Sequence, residues 1–124
     1  MDATDPKYDL RRRTKAFALC VIRLYTSLPK TTEAQVLGKQ VLRSGTSVGA
    51  HYHEAKRARS TAEFLSKLGG ALQELSETVY WLELLQDAGI RSTSEMRPMI
   101  SEANELMAIL TASSRTAQNS DSDK

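Results

Sequence analysis

Apolar residues recur every three to four positions along most of this chain, in four separate stretches with polar residues between them. In the first, Leu10, Phe17, Val21, Leu24 and Leu28 share one side of a helix expected over about Lys7–Leu28. Asp5-Pro6 offers a side-chain acceptor followed by a proline at the first helical position, and Pro29 ends the run. The second stretch opens near Thr32, where Thr32 and Gln35 match a capping box. Its inward stripe is Leu37, Val41, Ser44, Val48, Tyr52 and Ala55, and it ends near Arg57–Arg59. Neither Gly nor Pro marks that end. The boundary rests on Ser60-Thr61-Ala62-Glu63, a second capping box, and one helix unbroken through residue 60 is the competing reading.

The third stretch faces Phe64, Leu68, Leu72, Leu75, Val79 and Leu82 inward and closes near Ala88, where Gly89-Ile90 fits a left-handed cap. Ser92 and Glu95 then open a fourth, which carries Met96, Ile100, Ala103, Leu106, Met107 and Leu110. Pro98 falls near its first turn, where proline is partly tolerated. Four amphipathic helices with short connections predict an all-α fold, an antiparallel up-down four-helix bundle over residues 1–113. Residues 114–124 are polar without an apolar anchor and are expected to be a disordered tail.

Gly38, Gly45, Gly49, Gly69 and Gly70 fall inside these helices, where each costs up to about 1 kcal/mol relative to Ala. The apolar spacing keeps its phase across them, so the helices are read as continuous. Gly45 and Gly49 share an edge that lets another helix approach closely.

Length and composition agree with this picture. A chain of 124 residues makes one domain, and 6 glycines with 3 prolines is sparse enough for helices throughout. Cys20 is the only cysteine, so no intrachain disulfide forms, and its place at the edge of the first core stripe reads as packing. The opening MDATDPKYDLRRR lacks the apolar core of a signal peptide, and no apolar run approaches the roughly 20 residues of a membrane span. The cytoplasm is the expected compartment.

Charge is split along the chain. Residues 1–59 hold 12 Lys/Arg against 5 Asp/Glu, and residues 60–124 hold 5 against 10. Such asymmetry points to a basic face for an anionic partner or to self-association, while solvated helix faces of different sign are the plain alternative. Helix 1 turns Arg11, Arg12, Lys15 and Arg23 away from its core stripe, with Leu19 and Ile22 among them. Helix 3 turns Tyr80, Trp81 and Leu84 away from its stripe. Surplus apolar surface of this kind usually marks a subunit interface, so Leu19, Ile22, Tyr80, Trp81 and Leu84 are expected between copies, the alternative being that helix 4 and the helix 1 connection cover it.

A second, polar stripe follows helix 2: Gln40, Arg43, Ser47, His51 and Glu54. Helix 3 carries a matching edge of Lys67, Glu74, Glu77 and Trp81. Side by side, these edges form either a ligand site or an ordering network such as Arg43 with Glu74 or Glu77. The ordering network is preferred, because no nucleophile–base pair is visible. His51 and His53 are two apart and point to nearly opposite faces, and Glu54 does not complete a zinc-helix motif. No metal and no cofactor is expected. The basic elbow Lys56-Arg57-Ala58-Arg59, with Arg11, Arg12, Arg13 and Lys15, remains the best candidate for function. Clustered cations bind phosphates through counterion release with little sequence preference.

Several of these positions together resemble a known family. Gln40, Leu42-Arg43-Ser44, Ser47-Val48, Ala50, Glu54-Ala55, Arg57, Arg59-Ser60, Glu63-Phe64, Lys67-Leu68, Ala71, Glu74, Glu77-Thr78 and Trp81-Leu82 resemble the four-helix-bundle family of 23S ribosomal RNA intervening-sequence proteins. Tyr8-Asp9-Leu10, Leu24-Tyr25 and Leu28-Pro29 extend the likeness to about residues 8–110. The resemblance implies a small bacterial cytosolic bundle and a homo-oligomer, most plausibly a ring of five. Some members of that family are encoded inside inserts of ribosomal RNA genes. A related group accompanies reverse transcriptases in diversity-generating retroelements, where a basic pentameric barrel is associated with nucleic acid and the polymerase. Two positions depart from the pattern: His51 stands where asparagine is common, and His53 where a basic residue is common.

The sequence therefore leads to a non-enzymatic oligomeric bundle that associates with RNA or DNA backbone, and through it with a nucleic-acid-processing protein. Its phosphate contacts are expected from Arg11, Arg12, Arg13, Lys15, Lys56, Arg57 and Arg59. The alternative is an oligomeric scaffold for a protein partner, with no nucleic acid involved.

Overall fold

The computed structural model describes residue 5 and residues 8–122 of the chain. They form four helices: α1 (Leu10–Ser27), α2 (Thr32–Lys56), α3 (Thr61–Asp87) and α4 (Thr93–Ser122). Each helix packs on its neighbours in chain order, and α1 closes the ring against α4. Neighbouring helices run antiparallel. Gly38, Gly45 and Gly49 of α2 lie against Tyr25, Val21 and Thr14 of α1 in reversed order. Arg43 and Glu54 of α2 likewise pair with Glu74 and Lys67 of α3. The arrangement is the all-α four-helix bundle that the spacing predicts.

The core follows the sequence stripes. Val21, Val41, Val48, Leu68, Leu75, Leu82, Leu106 and Leu110 are fully buried. Two hydroxyls join them. Thr78 Oγ1 donates to Ser44 Oγ at 2.8 Å, and Ser44 Oγ donates to the Gln40 carbonyl at 2.8 Å, so a polar pair spans α2 and α3 without leaving an unmet group. Gly38, Gly45 and Gly49 of α2 and Gly70 of α3 act through closeness. A Cβ on Gly45 would lie 2.6 Å from Val21 Cγ2, and one on Gly70 would lie 2.7 Å from His51 Nδ1.

The helix ends show where sequence reasoning slipped. The α1 cap is Asp9, whose carboxylate accepts the Arg12 N–H at 3.2 Å. The expected start at Asp5-Pro6 is thus too early, and Pro6 and Lys7 lie outside the described residues. Thr31 caps α2, one residue before the expected box, because its hydroxyl reaches the Ala34 N–H. Gln35 instead reaches back to the Pro29 carbonyl at 2.8 Å and accepts from the Tyr25 hydroxyl at 3.0 Å. Ser60 caps α3, which breaks the chain there and removes the single-helix alternative.

Ser92 and Glu95 exchange side-chain to backbone bonds as a capping box does. After α3, Gly89 adopts φ +74°, its N–H bonds the Gln86 carbonyl, and the Ile90 N–H bonds the Leu85 carbonyl. This is the Schellman arrangement, and Ile90 folds back onto the core. From the same turn, Arg91 donates to the Ser27 carbonyl at 2.7 Å and secures the end of α1.

One expectation is overturned. The polar tail expected from residue 114 is helical through Ser122. No glycine or proline follows Pro98, so nothing stops the helix. Ala117, Ser120 and Asp121 lie in a groove with Ala58, Arg59, Ser60 and Phe64. The residues that α4 brings to this groove are small, so the absence of a large apolar anchor misled the reading.

Candidate functional site

The antiparallel α1/α2 pairing brings the start of α1 beside the end of α2. Both ends are fixed by apolar anchors. Leu10 opens α1 at 5% exposure and Ala55 lies in the last turn of α2 at 2%. Asp9 holds the first turn of α1, so Arg11 and Arg12 project outward from it. Lys56 ends α2 and Arg57 caps it, with the Arg57 N–H on the Glu54 carbonyl at 3.1 Å. These four cations line one open cleft of ≈ 540 Å³.

Two basic clusters that lie far apart in sequence thus share a single concavity. Asp5, Tyr8, Asp9, Leu10, Tyr52 and His53 complete its lining. With His53 neutral, the cleft carries four cations against two carboxylates. Burial, and secondarily the Asp9 carboxylate, raise the Tyr52 phenol above its ordinary value, so its hydroxyl stays protonated at neutral pH.

The remaining sequence-predicted cations lie elsewhere. Arg13 points to α4, with Nη2 2.6 Å from Glu102 and Nη1 3.3 Å from Glu105. Its side chain is only 15% exposed, so it is a bundle cross-link and not part of the open basic surface. The hydrogen bond to Glu102, with the nearby carboxylate charges, raises its guanidinium further above the ordinary value. Lys15 is exposed on α1 but does not line the cleft. Arg59 lies in the separate groove with Asp121, turned toward α4.

The polar stripe of α2 meets the edge of α3. Arg43 lies 3.3 Å from Glu74 and 3.0 Å from Glu77, and Glu54 lies 2.7 Å from Lys67. Ser47 turns back to the Arg43 carbonyl at 2.7 Å. His51 packs on Gly70, and His51 Nδ1 and Trp81 Nε1 are buried without a hydrogen-bond partner among the described residues. The Lys67 hydrogen bond lowers the Glu54 carboxyl and is matched by a raised Lys67 ammonium. Paired charges thus line the edge between α2 and α3.

The expected interface residues divide. Leu19 (41%), Ile22 (42%) and Tyr80 (57%) are exposed, whereas Trp81 and Leu84 are half-buried. Tyr80 stands edge-on to Trp81 with ring centroids 5.0 Å apart. Val36, 56% exposed on α2, was missed because a lone valine at the start of a helix leaves no pattern. Sequence reasoning also missed Tyr8, Tyr52 and His53 as cleft residues. The signal was present, since Tyr52 and His53 lie one turn before Lys56 and Arg57.

Among the described residues no group of three or more His, Cys, Asp or Glu side chains is placed to hold a metal ion. None of their helices is long and apolar enough to cross a membrane.

Comparison with known proteins places these features in context. The family model described as 23S rRNA-intervening sequence protein matches residues 7–112. Among solved structures, the chain is similar to a protein with unknown function from the S23 ribosomal protein family of Bacteroides thetaiotaomicron VPI-5482. Identity is 34%, the match covers 88% of this chain and 97% of that one, and the TM-score is 0.82. No match was found among curated proteins.

Proposed function

The chain belongs to the 23S rRNA-intervening sequence protein family, and from that premise we propose that it is a non-enzymatic bundle that binds nucleic-acid backbone through the cleft between α1 and α2. One observation carries the reading: Arg11, Arg12, Lys56 and Arg57, from two distant segments, line the same cleft. Among the described residues, none of these four makes an ion pair of the kind that ties Arg13 to Glu102 or Arg43 to Glu77. Cations held close together and open to solvent gain most from displacing counterions at phosphates.

Self-association is the second part of the proposal. Leu19 and Ile22 lie on α1, and Tyr80 lies on α3, the helix diagonal to it in the bundle. Patches on opposite corners suit a head-to-tail contact, which closes into a ring. Five copies is the number that the family resemblance implies. Such a ring repeats the basic cleft around its circumference and multiplies its affinity for a polyanion. The cytoplasm is the compartment that fits this role.

Fluorescence anisotropy with labelled RNA and DNA at low salt tests the binding. The wild type is expected to bind both, and a variant carrying Arg11→Gln, Arg12→Gln, Lys56→Gln and Arg57→Gln to bind neither. Absence of wild-type binding at low salt refutes the reading and leaves the protein-scaffold alternative. Light scattering tests the ring, and a monomer at micromolar concentration refutes it.

A further inference from the structure

The cleft holds more than cations, and that addition narrows what it accepts. A purely electrostatic surface favours duplexes, because their charge density exceeds that of a single strand. Such a surface needs no concavity and no aromatic groups. Here the four cations frame a cleft of ≈ 540 Å³ that also contains Tyr8 and Tyr52. That volume lies within the roughly 300–1,000 Å³ of sites for small organic ligands.

Tyr52 is held by its packing against the core, so its ring needs little ordering when a ligand arrives. Tyr8 also lines the cleft, one residue before the α1 cap, with its N–H on the Asp5 carbonyl at 2.9 Å. Duplex bases are stacked on one another and unavailable to such rings, whereas bases of a single strand stack freely on aromatic side chains.

We infer that this cleft takes one nucleotide of a single-stranded nucleic acid, its base against Tyr52 and Tyr8 and its phosphate between Arg11–Arg12 and Lys56–Arg57. The inference rests on the backbone-binding reading of the same cleft and narrows it to unpaired strands and loops. Asp5 and Asp9 line the same cleft, and their carboxylates disfavour a phosphate beside them, which leaves that part of the cleft to the uncharged base. The Tyr52 hydroxyl, protonated at neutral pH, adds a donor for a base or ribose oxygen.

The test compares a labelled single-stranded oligonucleotide with a duplex of equal length on the full chain at one salt concentration, with AMP and inorganic phosphate as competitors. The single strand is expected to bind at least about fivefold tighter, and AMP to compete better than phosphate. Tyr52→Leu is expected to lower single-strand affinity about tenfold and to leave duplex affinity unchanged, while Tyr52→Phe keeps the preference. Tyr8→Ala, outside the core, gives the same direction if Tyr52→Leu fails to fold. Duplex binding equal to or tighter than single-strand binding, AMP no better than phosphate, or tyrosine variants without effect each overturns the inference and leaves backbone binding standing. Failure of both nucleic acids to bind overturns the backbone reading itself.

Discussion

Replacing Gly45 with alanine sets two known effects against each other. Alanine gains up to about 1 kcal/mol over glycine in a helix interior. The added methyl would lie 2.6 Å from Val21 Cγ2, 3.0 Å from Cγ1 and 3.2 Å from Cβ. Val21 is fully buried and β-branched, so no flexible end can swing aside and α1 must move away from α2. Overpacking of this kind costs about 1–3 kcal/mol. Gly45→Ala is therefore expected to destabilise by up to about 2 kcal/mol after a helix gain of about 1 kcal/mol is subtracted.

Gly69 is the internal control. It lies in α3, and a Cβ there meets nothing within 4 Å. Gly69→Ala is expected to stabilise by up to about 1 kcal/mol. Urea unfolding followed by circular dichroism measures both. Equal stabilisation by the two alanines would refute the claim that Gly45 sets the α1–α2 distance.

Three further outcomes follow from the same geometry. Thr78→Val removes the donor to Ser44, while Ser44 keeps the Gln40 carbonyl as its acceptor, so urea denaturation should show a loss of only about 0.5–1.5 kcal/mol. Arg13→Gln should lower the melting temperature, because it unties Glu102 and Glu105, and leave nucleic-acid affinity in anisotropy titrations nearly unchanged, whereas Arg11→Gln with Arg12→Gln should do the reverse. Glu95, held below its ordinary value of 4.5 by its bonds to Ser92, stabilises the fold above that value and loses the effect as pH falls through its lowered folded value. Glu95→Gln should therefore destabilise at pH 7 and match the wild type in urea midpoint once the carboxyl is protonated.

Most of the fold could be read from the chain. Helix count, core stripes, the Ser60 cap and the Gly89 turn depend on local spacing, which one sequence displays directly. The pairing of Arg43 with Glu74 and Glu77 also followed from spacing, since both edges were visible once the helices were taken as antiparallel. The cleft was only half visible. Arg11, Arg12, Lys56 and Arg57 stood out as charge, but their union depends on where α1 starts, and Asp9 rather than Asp5 sets that. Arg13 was grouped with its neighbours because helix phase alone does not show that Glu102 and Glu105 lie opposite it on α4. Tyr52 was assigned to the core, and it does pack there. That the same residue also lines the cleft is a matter of tertiary geometry. The end of α4 was misjudged for a different reason: helical residues that bring only Ala117 and small polar groups to a groove look like a tail when judged by hydrophobicity.

The salt dependence of binding tests the central claim most directly. A single-stranded oligonucleotide is titrated with the wild type and with the Arg11→Gln, Arg12→Gln variant across a salt series. The wild type should show a clearly negative slope of log Kobs against log salt, and removal of two of the four cations should make it shallower. A wild-type slope near zero, or the same slope in both proteins, would contradict a phosphate-binding cleft at Arg11, Arg12, Lys56 and Arg57.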